Sequence, residues 1–189
     1  LLRRAFYRWD AAASSSSFFL GLGRQLMQEY ASDGTHRDSA TDYLYASSTN
    51  DVIRTTDFGE VTGNSDGAFS DTDTDKRTTT ITYAASTSGN LSVPTQKTVL
   101  NYASATTSDQ KLYYDGLAFG SVTKGNNTKE ESWISASTYA SSTKSFNIYG
   151  HVASSTDRRG KLTSNIFDVY NLYVASSTNP LSQHTQFTY

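Results

Sequence analysis

At 189 residues the chain has the length of one domain or a large piece of one, and its hydrophobic share of 36% lies below the usual globular fraction of about 45–50%. Apolar surface comes instead from 13 Tyr and 9 Phe among abundant Ser and Thr, a composition too aromatic for disorder and suited to half-buried strands. A net charge of −2 leaves no electrostatic footprint for nucleic acid or an anionic membrane, and the lack of cysteine excludes disulfide frameworks and thiolate metal sites.

The chain begins at Leu1, and the apolar run "FFLGLG" at residues 18–23 is too short to span a bilayer. It also lacks the flanks of a signal peptide, so the expectation is an internal fragment of a longer protein, with no transmembrane segment in this stretch. Strand-like alternation begins at residues 4–11 and 25–32, expected to form a first hairpin bracketing residues 12–23. Residues 23–31, "GRQLMQEYA", are the best helical window but read better as strand. Alternation of β-branched or aromatic residues recurs at 41–47, 51–58, 76–85, 96–104, 110–116, 121–125, 129–135, 144–156, 161–178 and 184–189. In the window at 76–85, Thr79, Ile81 and Tyr83 are expected to share one face. Gly-, Asn- and Asp-rich turn signals fall at 62–67, 86–90, 124–127 and 156–160. Strands spaced by roughly 8–12 residues with such turns predict an all-β fold.

The C-terminal part repeats. Phe146-Asn147-Ile148-Tyr149 aligns with Phe167-Asp168-Val169-Tyr170 at a shift of 21, and Val152–Thr156 with Val174–Thr178 at a shift of 22. Asp157 then aligns with Asn179, Gly160 with Ser182, Thr163 with Thr185 and Phe167 with Tyr189. Aromatic, turn and β-branched residues recur in phase, with one residue inserted around Asn171-Leu172-Tyr173. Such a period means stacked supersecondary units that cannot bury their faces alone. The phrase "ASST" by itself says less, because it also occurs off this grid at Ala46–Thr49 and Ala140–Thr143.

This unit resembles the YD repeat of Rhs proteins: an aromatic-Asp pair, x-Tyr-Gly-x-Val/Leu, a Ser/Thr run, Asp or Asn, a turn, and Thr-x-aromatic-x-Tyr. The repeat-defining positions are Phe146, Tyr149, Gly150, Asp157 and Gly160 in one copy and Phe167, Asp168, Tyr170, Asn179 and Tyr189 in the next. Residues 57–83 look like a diverged, lengthened copy, and "YYDGLAFGSVTKGNNTKEESW" at 113–133 resembles segments of long bacterial YD-repeat proteins. The chain accordingly divides into a strand-rich segment of no recognised kinship (1–40), diverged YD-like repeats (41–112) and a YD-repeat β-shell segment (113–189). Asn147 stands for the family's Asp, and Asn171 and Ser182 for glycines. Asn171 can keep a turn at positive φ, whereas Ser182 implies a different turn there.

The resemblance implies stacked antiparallel hairpins forming a curved sheet, part of the spiral β-shell of Rhs, toxin-complex and teneurin proteins. It implies a bacterial protein, secreted or at the cell surface, in which the shell encloses a C-terminal toxin. The partner would be the remainder of the same polypeptide, shell and enclosed cargo. The family's self-cleaving segment needs a Pro-rich Asp motif; with only Pro94 and Pro180 here, that activity is not carried over. A second expectation is a binding module, a Tyr-rich open sheet taking a carbohydrate or a surface protein.

Enzyme chemistry is not expected. The serines carry no G-x-S-x-G elbow, and "GLG" at 21–23 lacks the rest of any phosphate-binding loop. His36, His151 and His184 have no metal-ligand spacing. Asp71, Asp73 and Asp75 alternate as calcium ligands do, but Lys76 and Thr82 stand where an EF-hand needs Gly and Glu, and a solvated acidic turn is the simpler expectation. Glu130 and Glu131 precede Trp133 in the manner of a sugar site, yet neighbours on a strand face opposite ways, and a charged turn before a packed Trp is expected. No cofactor is expected.

Overall fold

The structure, a computed structural model, describes residues 2–13, 18–71, 73–85 and 91–189. Among these there is no helix, and the fold is all-β. The strands are β1 (Leu2–Ala13), β2 (Phe18–Tyr30), β3 (His36–Tyr45), β4 (Val52–Gly63), β5 (Phe69–Ser70), β6 (Arg77–Ala85) and β7 (Ser92–Leu100). They continue with β8 (Thr106–Tyr114), β9 (Asn127–Ser135), β10 (Thr138–Phe146), β11 (Val152–Thr156), β12 (Leu162–Phe167), β13 (Val174–Thr178) and β14 (His184–Gln186). Hydrogen bonding follows chain order along one antiparallel path, β1 to β14, from which only β5 departs by pairing β4. Most strands pair with the one before them, which satisfies a strand edge at small cost; β6 reaches past β5 to β4, and a longer loop joins β8 to β9.

The chain divides into two compact units, residues 1–82 with 97–109 and residues 83–96 with 110–189. In the first unit, Leu26, Ala40 and Val61 form a buried cluster against which Phe6, Phe58 and Phe69 pack. The period is two: Leu26 and Gln28 are buried on β2, Asp38 and Ala40 on β3. That period rules out a helix over 23–31, as the sequence suggested. In the second unit, Ala84, Tyr114 and Val122 are buried, with Leu91, Val93 and Leu112 against them. Both cores are small, so most of the sheet is wet on both faces, which Tyr and Thr tolerate because each carries a hydroxyl beside apolar surface.

Three local expectations change. The run "FFLGLG" does not connect the first two strands; it lies inside β2, and Ala13 pairs with Phe18. Its glycines allow close approach: a side chain on Gly21 would run into the rings of Phe19 and Tyr45, and one on Gly23 would displace the Asp10 carboxylate. Residues 121–125 are loop, not strand. Glu130 and Glu131 lie within β9 rather than in a turn. The expected turn at 86–90 falls outside the described residues.

The repeat is a repeat of register. β11 pairs β12 through Ser154↔Ser164, Ser155↔Thr163 and Thr156↔Leu162. Twenty-two residues on, β13 pairs β14 through Ser176↔Gln186, Ser177↔Thr185 and Thr178↔His184. The preceding pairings match as well. Phe146 meets Val152 after a slip at Ser145/Phe146, and Phe167 meets Val174 after a slip at Ile166/Phe167. A comparable slip at Tyr113/Tyr114 precedes Asp115. In all three cases a bulge re-aims an aromatic residue at the strand end, directly before an Asn or Asp.

Candidate functional site

The Asn or Asp after each bulge closes the turn. At Asn147 the backbone N–H donates to the His151 carbonyl (2.9 Å), and the Gly150 N–H donates back to the Asn147 carbonyl (3.0 Å). The Asn147 side-chain oxygen accepts the N–H groups of Tyr149 (3.0 Å) and His151 (2.9 Å). Asp157 does the same with Arg159 and Lys161, both at 2.8 Å. Asn179 does so with Leu181 and Gln183, both at 3.0 Å. Asp168 caps Leu172 (2.8 Å) and Tyr173 (3.2 Å), its turn one residue longer where the sequence carries the insertion. A short side-chain oxygen that mimics a backbone acceptor makes Asn and Asp suited to this position.

The fourth turn position has positive φ in every case: Gly150 at 83°, Gly160 at 74°, Asn171 at 57° and Ser182 at 62°. Asn171 keeps the turn as expected. Ser182 does not impose a different turn; the Asn179 cap and the Ser182 N–H to Asn179 carbonyl bond (3.0 Å) hold the same geometry in spite of the Cβ. Asn101 forms a further copy not singled out in the sequence. Its Oδ1 accepts from Ala103 (3.1 Å) and Ala105 (2.9 Å), with Ser104 at φ 60°. The signal was present, Asn three residues before a small residue, but neither Gly nor an aromatic marks it.

Asp115 is the enlarged version. Its N–H donates to the Asn126 carbonyl (2.8 Å), and its carboxylate gathers the loop between. Oδ2 accepts from the N–H groups of Thr123 (2.8 Å), Lys124 (2.8 Å) and Gly125 (3.1 Å) and from the Thr123 hydroxyl (3.1 Å). Oδ1 accepts from the Asn126 N–H (2.9 Å). Burial opposes the charge, but the backbone N–H groups of Thr123, Gly125, Lys124 and Asn126 outweigh it and hold this carboxyl well below the usual carboxylate range.

On the sheet of the second unit, Glu131 accepts from the Tyr113 hydroxyl (2.8 Å) and pairs with Lys129 (2.6 Å). Burial first, then Glu131, pushes the Tyr113 phenol up to about 12. Lysine ammoniums cover the rings here: Lys129 lies 4.7 Å from the Tyr113 ring centre and Lys111 4.4 Å from that of Tyr139. Glu130 bonds elsewhere, to Arg158 at 3.3 Å, so the two carboxylates do not converge. The Trp133 indole N–H donates to the Ala136 carbonyl (2.9 Å).

The first unit holds a buried polar chain. Asp38 accepts from the Gly63 N–H (2.8 Å), contacts His36 Nδ1 (2.6 Å) and meets Gln28 Nε2 (3.4 Å), while the Tyr30 hydroxyl donates to Gln28 (3.1 Å). Gln28 and Asp38 are cross-strand partners, each satisfying a group that burial would otherwise strand. Sequence alternation alone gives no sign of this pair.

The other residues named as metal or catalytic candidates are spread out. Asp71 pairs with Lys76 (3.8 Å), Asp73 accepts from the Thr74 N–H (2.7 Å), and Asp75 accepts from the Glu60 N–H (2.9 Å) beside Gly59. His151 lies against Phe167, and His184 Nδ1 contacts the Thr178 hydroxyl (2.9 Å). Among the described residues no three or more His, Cys, Asp or Glu side chains gather as a metal site would. No helix among them is long and apolar enough to cross a membrane.

No protein-family model matches the chain, and no curated protein matches it. Among solved structures, the crystal structure of TcdB2-TccC3-Cdc42 matches 98% of this chain at 9% identity with a TM-score of 0.52. The chain spans 15% of the length of that matched protein. A porin-like protein from Bacteroides uniformis ATCC 8492 matches 96% of this chain and 82% of its own length, at 11% identity and a TM-score of 0.43. The first match is a likeness of fold alone.

Proposed function

We propose that the chain is a length of wall: a stretch of YD-repeat shell of the Rhs and toxin-complex type, which encloses or displays another part of the same polypeptide. The observation that carries this reading is the register repeat, in which hairpins of about 22 residues join in chain order through Asx-capped turns and leave a strand edge for the next hairpin. The likeness to TcdB2-TccC3-Cdc42 over 98% of the chain supports it. The role is mechanical, and the chain carries no reaction of its own. The enclosed part is a toxin, and the protein works outside the bacterial cell or on its surface.

Excision of one unit, residues 157–178, from the full-length polypeptide tests this. A wall shortened by one hairpin pair loses closure, so the enclosed segment becomes sensitive to added protease while the wall itself still folds. An enclosed segment as protected as before would remove the ground for the shell.

A further inference from the structure

The register repeat also carries a ring pair. β13 and β14 pair Ser176 with Gln186, and the Phe187 N–H donates to the Ala175 carbonyl (3.0 Å), which continues the ladder. Extending Ser176↔Gln186 by three places sets Tyr173 opposite Tyr189, and their ring centres lie 4.8 Å apart at 32°. One unit earlier, the same extension from Ser154↔Ser164 sets His151 opposite Phe167, 5.3 Å apart and again at 32°. The contact is therefore a cross-strand pair that belongs to the repeat. Its chemistry changes between the copies. The earlier pair holds an imidazole and a phenyl, the later one two phenols.

The pairs Phe19–Tyr45, Tyr30–His36 and Tyr113–Phe119 each set a phenol against a ring that is not one. Tyr173 and Tyr189, by contrast, are both phenols and both open to solvent, 53% and 77% exposed. The Tyr189 hydroxyl donates to the Val174 carbonyl (3.3 Å), which holds its ring beside residue 173. Two rings joined carbon to carbon have centres about 4.3 Å apart, one single bond plus two ring radii, so a small turn of two exposed side chains separates contact from a bond.

We propose that Tyr173 and Tyr189 are a dityrosine cross-linking site, coupled by a one-electron oxidant of the peroxidase–peroxide class. Each phenol gives up one electron and its hydroxyl proton, which leaves two phenoxyl radicals. The radicals join through one ring carbon ortho to each oxygen. The hydrogens on the two joined carbons leave as protons and the oxygens are reprotonated, so the pair loses two hydrogen atoms in all. One hydrogen peroxide takes up the two electrons and two protons and becomes two waters. The product closes residues 173–189 into a covalent loop around β14, a strand of three residues held on one side by three ladder pairs. A link of this kind removes freedom from the unfolded chain and so fastens that strand to β13. The inference does not rest on the wall reading, and either can fail alone.

The test treats the 189-residue chain, dilute, with a haem peroxidase and one equivalent of hydrogen peroxide. The product is monomeric, fluoresces as a biphenol and has lost two hydrogen atoms by mass, and peptide mapping joins Tyr173 to Tyr189. Tyr173→Phe and Tyr189→Phe each abolish the fluorescence. Both variants fold, because a phenyl ring already serves at Phe167 in the equivalent pair. Amides of residues 184–187 exchange more slowly in the linked chain than in the unlinked one. Exposure alone would direct the oxidant to Tyr170, 75% exposed, or Tyr149, 61% exposed, so a link mapped to either overturns the proposal. Absence of the link, fluorescence that survives either Phe variant, or a link between two chains overturns it as well, and unchanged exchange over 184–187 refutes the fastening of β14.

Discussion

At the scale of single residues, stability concentrates where one side chain answers several backbone groups. Asp115→Asn keeps an acceptor for the Asn126 N–H but replaces Oδ2, with its four donors, by an amide NH2, itself a donor. The expected loss is about 2–3 kcal/mol by urea unfolding at pH 7, the range for charge-assisted bonds left unmade. The sign of the acid dependence follows from the depressed folded pKa. The Asp115 contribution is complete above the unfolded value, near 4, and is lost as pH falls through the folded value. The variant should therefore show a flatter stability profile between about pH 4 and pH 2 than the parent, and an unchanged profile would refute the role given to Asp115. Ser182 tests the opposite kind of residue. At φ 62° its Cβ is a cost that Gly160 avoids at the equivalent turn, so Ser182→Gly should stabilise by about 0.5–1 kcal/mol, and Ser182→Val should destabilise. Paired urea midpoints decide it.

Among the elements, the turn is more specific than the strand. "VASST" builds β11 and β13, but the same four letters "ASST" lie inside β10 at Ala140–Thr143 and in a turn beginning at Ala46. What fixes the hairpin is the Asx residue and the positive-φ residue three positions on. Asn179→Ala removes the caps on Leu181 and Gln183, at a cost of about 1 kcal/mol. Because β14 has only three residues and pairs on one side, the loss should appear as faster amide exchange over residues 180–187, with β10–β12 unaffected. Uniformly faster exchange across the unit would mean that the turns are not separable elements. This is also why hairpin order was legible in the sequence: Asx and Gly recur in phase, and a tight turn leaves one antiparallel partner. The loop at 115–126 was not legible, since Ser121-Val122-Thr123 alternates like a strand while its backbone donors go to a carboxylate eight to eleven residues away. Nor was the burial of Gln28 and Asp38, two polar residues satisfied in the interior by each other, by Tyr30 and His36 and by the Gly63 backbone. The place of residues 18–23 inside β2 was not legible either, because the approach of Asp10 and Tyr45 to Gly23 and Gly21 is a tertiary demand.

At the scale of the molecule, a sheet that pairs each strand with its chain neighbours is divisible only in whole units. Excision of residues 157–178 joins Thr156 to Asn179, and the chain then reads "VASST" followed by "NPLSQ", which is the order already present at Thr178 and Asn179. Turn, bulge and face all stay in phase, so the shortened chain should fold, with unchanged amide protection in β8–β10 and a smaller urea m-value in proportion to the surface removed. Excision of Val152–Thr156 alone removes fewer residues but one strand without its turn. Turn 147–151 would then feed directly into turn 157–161, a long connection in place of a tight one, and Leu162–Phe167 would have to reverse its direction to pair β10, which moves every later turn to the opposite end of the sheet. That smaller deletion should cost more: amide protection lost from Leu162 through Gln186, and a chain prone to associate through the exposed edge of β10. If the five-residue deletion proved as stable as the 22-residue one, pairing in chain order would not be what holds this sheet together.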